Sequence, residues 1–279
     1  MRIDAHGHGC HADHLPDGSC VPPLRHGWTP GAQTPEQHVA ESRRQGVDRA
    51  MLLDPPHVVF PLKEIFGDYV IPVCMVDIDK VTPAEIDALL SRGAAGIKFI
   101  HPMHSYGDNR YFPLYEVIRD RRKLAVFHTG YVTDKLFKPG ALLGREDYVD
   151  ITDMRPAALD RVARAFRDMN ILMAHFGNPW WEEAWNVLHN FKNVYADFSG
   201  GTAYKRPMEM WKQIFTHAGR PDLDSIRRLC YASDVSFCFQ GLYQFQPFIE
   251  FYERFFDMMD VPPDIRELVN HGNIENLIG

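Results

Sequence analysis

Short apolar runs alternate with longer amphipathic segments along the whole chain. Eight of these runs are apolar at most positions, which is typical of strands that are buried on both faces of a parallel sheet. They span residues 2–8, 48–54, 69–76, 95–100, 124–130, 170–177, 193–200 and 229–235. The pattern therefore predicts eight short strands separated by helices.

The intervening segments carry helix start signals. Thr34-Pro35 and Thr82-Pro83 combine an N-cap residue with a proline in the first turn, and Gly46 and Gly93 follow where the helices should end. Two further helices are expected to open at the prolines of "RPAALDRVARAFRDM" and "NPWWEEAWNVLHN". Regular strand–helix alternation predicts a parallel sheet with right-handed crossovers.

Eight strands in one 279-residue chain favour a single α/β domain, residues 1–279, that closes as a (β/α)8 TIM barrel. The alternative is an open doubly wound sheet, but the first strand is not followed by a glycine-rich phosphate loop. Two long segments, 9–33 and 131–155, follow the first and fifth strands. Long loops at the carboxyl ends of barrel strands usually carry binding or catalytic residues.

Polar side chains recur where these strands end. In the strand "RIDAHGH" two histidines are spaced i, i+2, so both imidazoles can point to the same face of an extended backbone. The other strands contribute residues that would meet them at the mouth of the barrel. The full set is His6, His8, Lys98, His128, His175 and Asp234.

Three neutral imidazoles and a carboxylate, with room for water, are typical of an open catalytic zinc site. We therefore expect one divalent cation, with zinc preferred; manganese, iron and cobalt also accept these ligands. Water bound to such an ion has a pKa near 7, which supplies hydroxide at neutral pH. The pattern thus predicts metal-assisted chemistry on a small organic substrate.

The motifs "IDAHGH", "GIKF", "FHTG", "AHFG", "ASD" and the closing "NIENLIG" resemble the amidohydrolase superfamily. The similarity is greatest to its amidohydrolase-related branch, which includes aminocarboxymuconate-semialdehyde decarboxylase and lactone hydrolases. The resemblance implies a somewhat distorted (β/α)8 barrel. It also implies that His6, His8, His128 and Asp234 are metal ligands. His175 would act with Asp234 in catalysis as a general acid/base that orients the hydrolytic water.

Lys98 has two interpretations within this resemblance. In two-metal members of the superfamily, a lysine at the end of the fourth strand is carbamylated and bridges the ions. One metal is usual in the branch that this sequence resembles. We therefore prefer a single ion, with Lys98 near that ion or near a substrate carboxylate.

Two reactions fit the same constellation. The first is hydrolysis of a lactone, an amide or a related carbonyl compound by an activated water. The second is non-oxidative decarboxylation of an aromatic or muconate-type acid. A barrel that keeps the ligands but only binds a small molecule is a third interpretation, and the intact set of ligands argues against it.

Rim-loop residues are the candidates for substrate binding. An arginine among them would bind a substrate carboxylate with two parallel hydrogen bonds. The candidates, with Lys98, are Arg25, Tyr106, Arg110, Tyr131 and Trp180. Further histidines in these loops are expected to face solvent or substrate; they are His11, His14, His26, His101 and His104.

Net charge and cysteine use narrow the class of protein. The formal net charge is −7, without the basic excess of a nucleic-acid-binding protein. No apolar run is long enough for a membrane helix, and no signal-peptide pattern is found. Five scattered cysteines without a CxxC pair suggest a reducing, cytoplasmic setting. The aromatic positions from Phe248 to Phe256 are expected in the core or between copies of a homo-oligomer.

Overall fold

The computed structural model describes residues 1–9, 35–132, 150–200, 202–236 and 245–279. Nine parallel segments form the central sheet, and they include every predicted strand. A separate antiparallel hairpin joins Thr216–His217 (β8) to Arg220–Pro221 (β9). The strands are β1 Ile3–His8, β2 Arg49–Asp54, β3 Val70–Val76, β4 Gly96–Phe99, β5 Leu124–His128, β6 Asn170–Ala174, β7 Val194–Asp197, β8 Thr216–His217, β9 Arg220–Pro221, β10 Leu229–Cys230 and β11 Val235–Ser236.

The sheet closes through the last of the predicted strands. Its first half, β10, pairs with β7, and its second half, β11, pairs with β1. Between them the amide of Ala5 donates to the carbonyl of Tyr231 (2.9 Å), and the amide of Asp234 donates to the carbonyl of His6 (2.6 Å). The prediction of a distorted α/β barrel is confirmed, since one segment bridges both edges and an open sheet would leave them apart.

Helices follow most of the strands, and prolines mark several helix starts. Thr82 caps the helix Pro83–Ser91 (α3) with a reciprocal capping box to Glu85. Where helices were expected to open at Pro156 and Pro179, they begin two residues later. The helices are α1 Pro35–Arg44, α2 Pro56–Phe66, α3 Pro83–Ser91, α4 Phe112–Asp120, α5 Ala158–Ala165, α6 Trp181–Asn190, α7 Met208–Ile214, α8 Leu223–Ile226, α9 Phe245–Met258, α10 Pro263–Glu267 and α11 Asn273–Ile278.

Two apolar layers hold the barrel together. One lies between the sheet and the surrounding helices and includes the aromatic face of α9, whose positions from Phe248 to Phe256 are buried in the core of the chain itself. The other fills the barrel interior, where Ile274 and Leu277 of α11 pack against inward-facing strand residues. Among the described residues, no helix has both the length and the apolar character needed to cross a membrane.

A β-bulge in β1 changes the face on which the side chains at the end of that strand lie. Ile3 and Ala5 pack in the barrel interior, and strict alternation would turn His6 and His8 outward. The register to β2 shifts between Asp4 and Gly7, where an extra residue is inserted. A bulge of this kind changes which face a side chain occupies. It allows His6 and His8 to follow an inward-facing Ala5 and still point into the mouth.

Candidate metal and active site

A carboxylate at the end of β2 contacts the ring nitrogen of His8 that faces away from Asp234. Its Nδ1 lies 3.1 Å from Oδ1 of Asp54, whose other oxygen accepts a hydrogen bond from the amide of Gly9 (2.7 Å). Its Nε2 lies 3.1 Å from Oδ1 of Asp234. Burial opposes protonation, but the carboxylates of Asp54 and Asp234 override it and raise the pKa of His8 to about 10.

His6 has the same arrangement with different partners. Its Nδ1 lies 3.2 Å from the hydroxyl of Ser199 and 3.5 Å from Oδ2 of Asp197, at and beyond the end of β7. Its Nε2 lies 3.6 Å from Oδ1 of Asp234. Burial, with the nearby charge of Lys98, lowers the pKa of His6 to about 3, so the ring is neutral at pH 7.

Asp234 is the point on which both imidazoles converge. Its backbone is left-handed (φ 70°), a conformation that costs energy for a residue with a side chain. Burial opposes its ionisation, and the hydrogen bond from His8 overcomes this effect and holds the pKa of the carboxyl below its ordinary value. One ligand atom each from His6, His8 and Asp234 lies within 4.8 Å of the others. Two nitrogens and one oxygen thus face a common point, as ligands of one cation would.

His175 lies beside this group. Its ring centroid is 4.5 Å from that of His6, and its Nδ1 lies 2.9 Å from the Ser199 hydroxyl. The amide of His175 donates to Asp197 (3.0 Å), and its backbone is left-handed (φ 64°). Burial lowers the pKa of the imidazole, so it is neutral and able to accept a proton at pH 7. His6, His175 and Asp197 also bring ligand atoms within 4.8 Å of each other.

His128 and Lys98 complete the floor of the mouth. His128 is buried, and its ring centroid lies 4.5 Å from that of His175. The structure places it in neither three-residue ligand group found among the described residues, so its role as a ligand stays a prediction. Lys98 is 1% exposed, and burial lowers its pKa to about 8. In the described part of the chain, Nε2 of His128 and Nζ of Lys98 have no hydrogen-bond partner.

The predicted substrate-binding residues occupy different places around this centre. Tyr106 is buried, and its hydroxyl donates to the carbonyl of His128 (3.0 Å), which anchors the end of β5. Arg110 is exposed and lies 3.1 Å from Asp108 of its own turn. Arg25 lies outside the described residues, as do most of the two long segments 9–33 and 131–155.

An aromatic pair stands at the rim. Tyr131, 57% exposed, follows β5 and stacks on Trp180 with ring centroids 5.8 Å apart and planes 19° apart. The guanidinium of Arg155 lies 5.0 Å from the centroid of Trp180. His101, expected among the exposed or substrate-facing histidines, is 2% exposed and therefore belongs to the interior of the mouth. The roles of these side chains in binding remain predictions.

Comparison with known proteins identifies the family. A sequence profile described as Amidohydrolase matches residues 3–211 of the 279-residue chain. The chain belongs to the amidohydrolase family. The match contains His6, His8, His128 and His175, and Asp234 lies beyond it. No match is found among curated proteins.

Solved structures share the barrel fold of this chain. An uncharacterised TIM-barrel protein of Bordetella bronchiseptica is 20% identical, with 99% of this chain and 98% of that chain covered and a TM-score of 0.65. A probable 2-pyrone-4,6-dicarboxylic acid hydrolase of Acinetobacter baumannii, with citric acid bound, is 12% identical (100% and 99% covered, TM-score 0.61). A 5-carboxyvanillate decarboxylase of Novosphingobium aromaticivorans, complexed with manganese and 4-hydroxy-3-methoxy-5-nitrobenzoic acid, is 14% identical (100% and 96% covered, TM-score 0.58).

Sequence reasoning missed the residues that orient the histidines of this amidohydrolase. Asp54 and Asp197 end the second and seventh strands, and both are fully buried. Their sequence signal was an acidic residue at the end of an otherwise apolar run, "RAMLLD" and "NVYAD". Ser199, which also accompanies Asp197 through a hydrogen bond, had no comparable signal.

Proposed function

We propose that the chain is a metal-dependent hydrolase that acts on the carbonyl group of a small organic substrate such as a lactone or an amide. One observation carries this proposal. The imidazoles of His6 and His8 each present Nδ1 to a carboxylate and Nε2 to the same oxygen of Asp234. Metal-binding histidines are held in this way, with the second ring nitrogen hydrogen-bonded to a carboxylate that fixes the orientation of the ring.

The donor set fits a divalent cation. Imidazole nitrogens and a carboxylate oxygen suit zinc or manganese, and the three ligand atoms leave positions for water and substrate. Asp54 behind His8 and Asp197 behind His6 supply the outer carboxylates. Without a cation, Asp234 faces two imidazoles, and the carboxylates of Asp54 and Asp234 keep the pKa of His8 raised. A divalent cation bound there would displace the proton of His8.

The residues beside this centre supply the proton chemistry. When bound, the cation would polarise a substrate carbonyl and lower the pKa of water toward neutrality. His175 is neutral and lies next to His6, so it can take the proton from the attacking water and return it to the leaving group. Asp234 stays ionised and can orient that water through its carboxylate. The Ser199 hydroxyl, 2.9 Å from Nδ1 of His175, holds the ring in place.

Decarboxylation is the second candidate function. It is favoured by the buried ammonium group of Lys98, which can receive a substrate carboxylate close to the same centre. Both a pyrone dicarboxylic acid hydrolase and a carboxyvanillate decarboxylase are similar in fold to this chain. Release of carbon dioxide from an aromatic acid would identify the decarboxylase, and consumption of water by a lactone or an amide would identify the hydrolase.

Metal stoichiometry tests the site directly. Elemental mass spectrometry of protein purified without chelator should find one zinc or manganese per chain, with loss of metal in His6→Ala and His8→Ala. His271→Ala is a matched control because His271 lies at the surface beside Glu275 (3.0 Å). Failure of the wild-type protein to bind any divalent cation would contradict the proposal.

The role of His175 needs a kinetic test. Once a substrate is found in a panel of lactones, amides and aromatic acids, His175→Ala should lower the rate about 100- to 10,000-fold while the metal content is unchanged. If the metal is lost with the imidazole, His175 belongs to the ligand group with His6 and Asp197 instead.

A further inference from the structure

Lys98 has an unusual position for a charged residue. It lies within β4, in register with Met75 of β3 and Val126 of β5. Val126 is part of the barrel interior, so the Lys98 side chain shares that face and points into the barrel. The residue is 1% exposed, and its ammonium nitrogen has no hydrogen-bond partner among the described residues.

The described residues around Lys98 provide no hydrogen-bond partner for its ammonium group. Its charge acts on four histidines of the mouth, namely His6, His101, His128 and His175. The carboxylates of Asp197 and Asp234 attract it from a distance, but neither accepts a hydrogen bond from it. A buried ammonium group without such a bond destabilises the fold, so a ligand that supplies an anionic partner would give the barrel a reason to keep it.

We propose that Lys98 anchors a carboxylate group of the substrate, so that the substrate is an anionic carbonyl compound. This inference rests on the proposed function and narrows its substrate class. The ammonium group supplies up to three hydrogen-bond donors from the barrel wall, and no anionic side chain among the described residues lies within hydrogen-bonding distance of it. A carboxylate held there would lie beside His128 and His175 and place the rest of the molecule in the mouth.

Binding of a simple carboxylate tests the inference without knowledge of the natural substrate. We would measure the Kd of benzoate and of its neutral isostere benzamide by calorimetry, with metal-loaded and metal-free protein. The variants are Lys98→Met and Lys98→Gln, which remove the charge at similar length and differ in polarity. Lys80→Met is the control, because Lys80 is an exposed lysine that follows β3 and lies 3.4 Å from Asp77.

The wild-type protein should prefer benzoate to benzamide. Both Lys98 variants should weaken benzoate binding about 10- to 100-fold and leave benzamide within about twofold, while Lys80→Met changes neither. Both variants should also melt at higher temperature than the wild type, because they remove an uncompensated buried charge. A gain in melting temperature shows that the variants are folded, so a loss of benzoate binding is then not a loss of structure.

Two results would overturn the inference. One is a wild-type protein that does not prefer benzoate to benzamide, or two Lys98 variants that both keep the wild-type preference. The other is two metal ions per chain in the wild type with one lost in Lys98→Met, which would make Lys98 a metal-bridging group. If the protein binds no metal but the Lys98 variants still lose the preference for benzoate, the anchor stands and the proposed metal-dependent hydrolase fails.

Discussion

Loading of the site with zinc should release a proton from His8. In the metal-free protein the pKa of His8 is raised to about 10 by Asp54 and Asp234, against the effect of burial. His6 is already neutral and Asp234 already ionised at pH 7, so His8 is the one of the three proposed ligands that must lose a proton before it can bind a cation. At pH 7 this loss offsets metal binding by about 4 kcal/mol, at about 1.4 kcal/mol for each of three pKa units.

The affinity for zinc should therefore rise about tenfold per pH unit below pH 7, and at least as steeply up to about pH 9, where zinc-bound water also ionises. Calorimetry in buffers of different ionisation enthalpy, with a competing chelator of known proton linkage, gives the number of protons released. We expect close to one proton per zinc at pH 6, where His8 is protonated and zinc-bound water, with a pKa near 7, is still largely un-ionised. Asp54→Asn should lower this number and weaken zinc binding about 10- to 100-fold. Proton release near zero in the wild type would refute the assignment of His8 as a protonated ligand.

Three further predictions test the neighbouring structure. Gly200→Ala puts a Cβ 3.0 Å from Nδ1 of His175 at φ 87°, whereas Gly219→Ala meets nothing within 4 Å at φ 75°. Both should lose about 1 kcal/mol of stability in urea unfolding, and only Gly200→Ala should lower turnover tenfold or more. Burial raises the pKa of Asp4 to about 7, so the folded state holds this proton more tightly than the unfolded chain. Stability should fall as the pH rises from about 4 to about 7, and Asp4→Asn should remove that part of the slope. Thr82→Ala removes the cap of α3 and should cost about 1 kcal/mol, measured by the same unfolding assay.

The pattern of apolar residues predicts the barrel strands because each strand is one short, continuous segment of the sequence. Each strand is buried on both faces, so its apolar run is continuous and its ends are marked by polar residues. His6, His8, His175 and Asp234 were therefore found at strand ends, where parallel strands deliver their side chains to one rim. Their proximity in the structure follows from the closure of the barrel.

Two local features of the structure cannot be predicted from the periodicity of apolar residues. The bulge in β1 depends on the register to β2, which no pattern within residues 3–8 records. The last predicted strand is interrupted between β10 and β11, because the left-handed backbone at Asp234 turns its carboxylate toward His6 and His8. Both departures from regular strand geometry occur at the site, where the side chains must meet and the backbone bears the strain.

The carboxylates behind the histidines were missed for a different reason. Asp54 and His8 are 46 positions apart, and Asp197 and His6 are paired across the barrel. An acidic residue at the end of a strand reads equally well as a turn or cap residue. Only the closed barrel, which brings the ends of β2 and β7 to the end of β1, shows that each carboxylate faces one ring nitrogen, and hence which nitrogen is left for a ligand.

His6 belongs to both candidate ligand groups, and this limits the number of cations that the site can bind. The two ligand groups found among the described residues both include it, one with His8 and Asp234, the other with His175 and Asp197. A neutral imidazole binds a cation through one nitrogen and carries a proton on the other. If Nε2 of His6 binds beside Asp234, its Nδ1 carries a proton that faces the Ser199 hydroxyl and, at 3.5 Å, the carboxylate of Asp197, and the second group has lost a ligand. A second ion there would require an imidazolate next to the ammonium group of Lys98, which already lowers the pKa of His6. One ion per chain is therefore the stoichiometry that this arrangement favours, with Asp197 serving to orient His6.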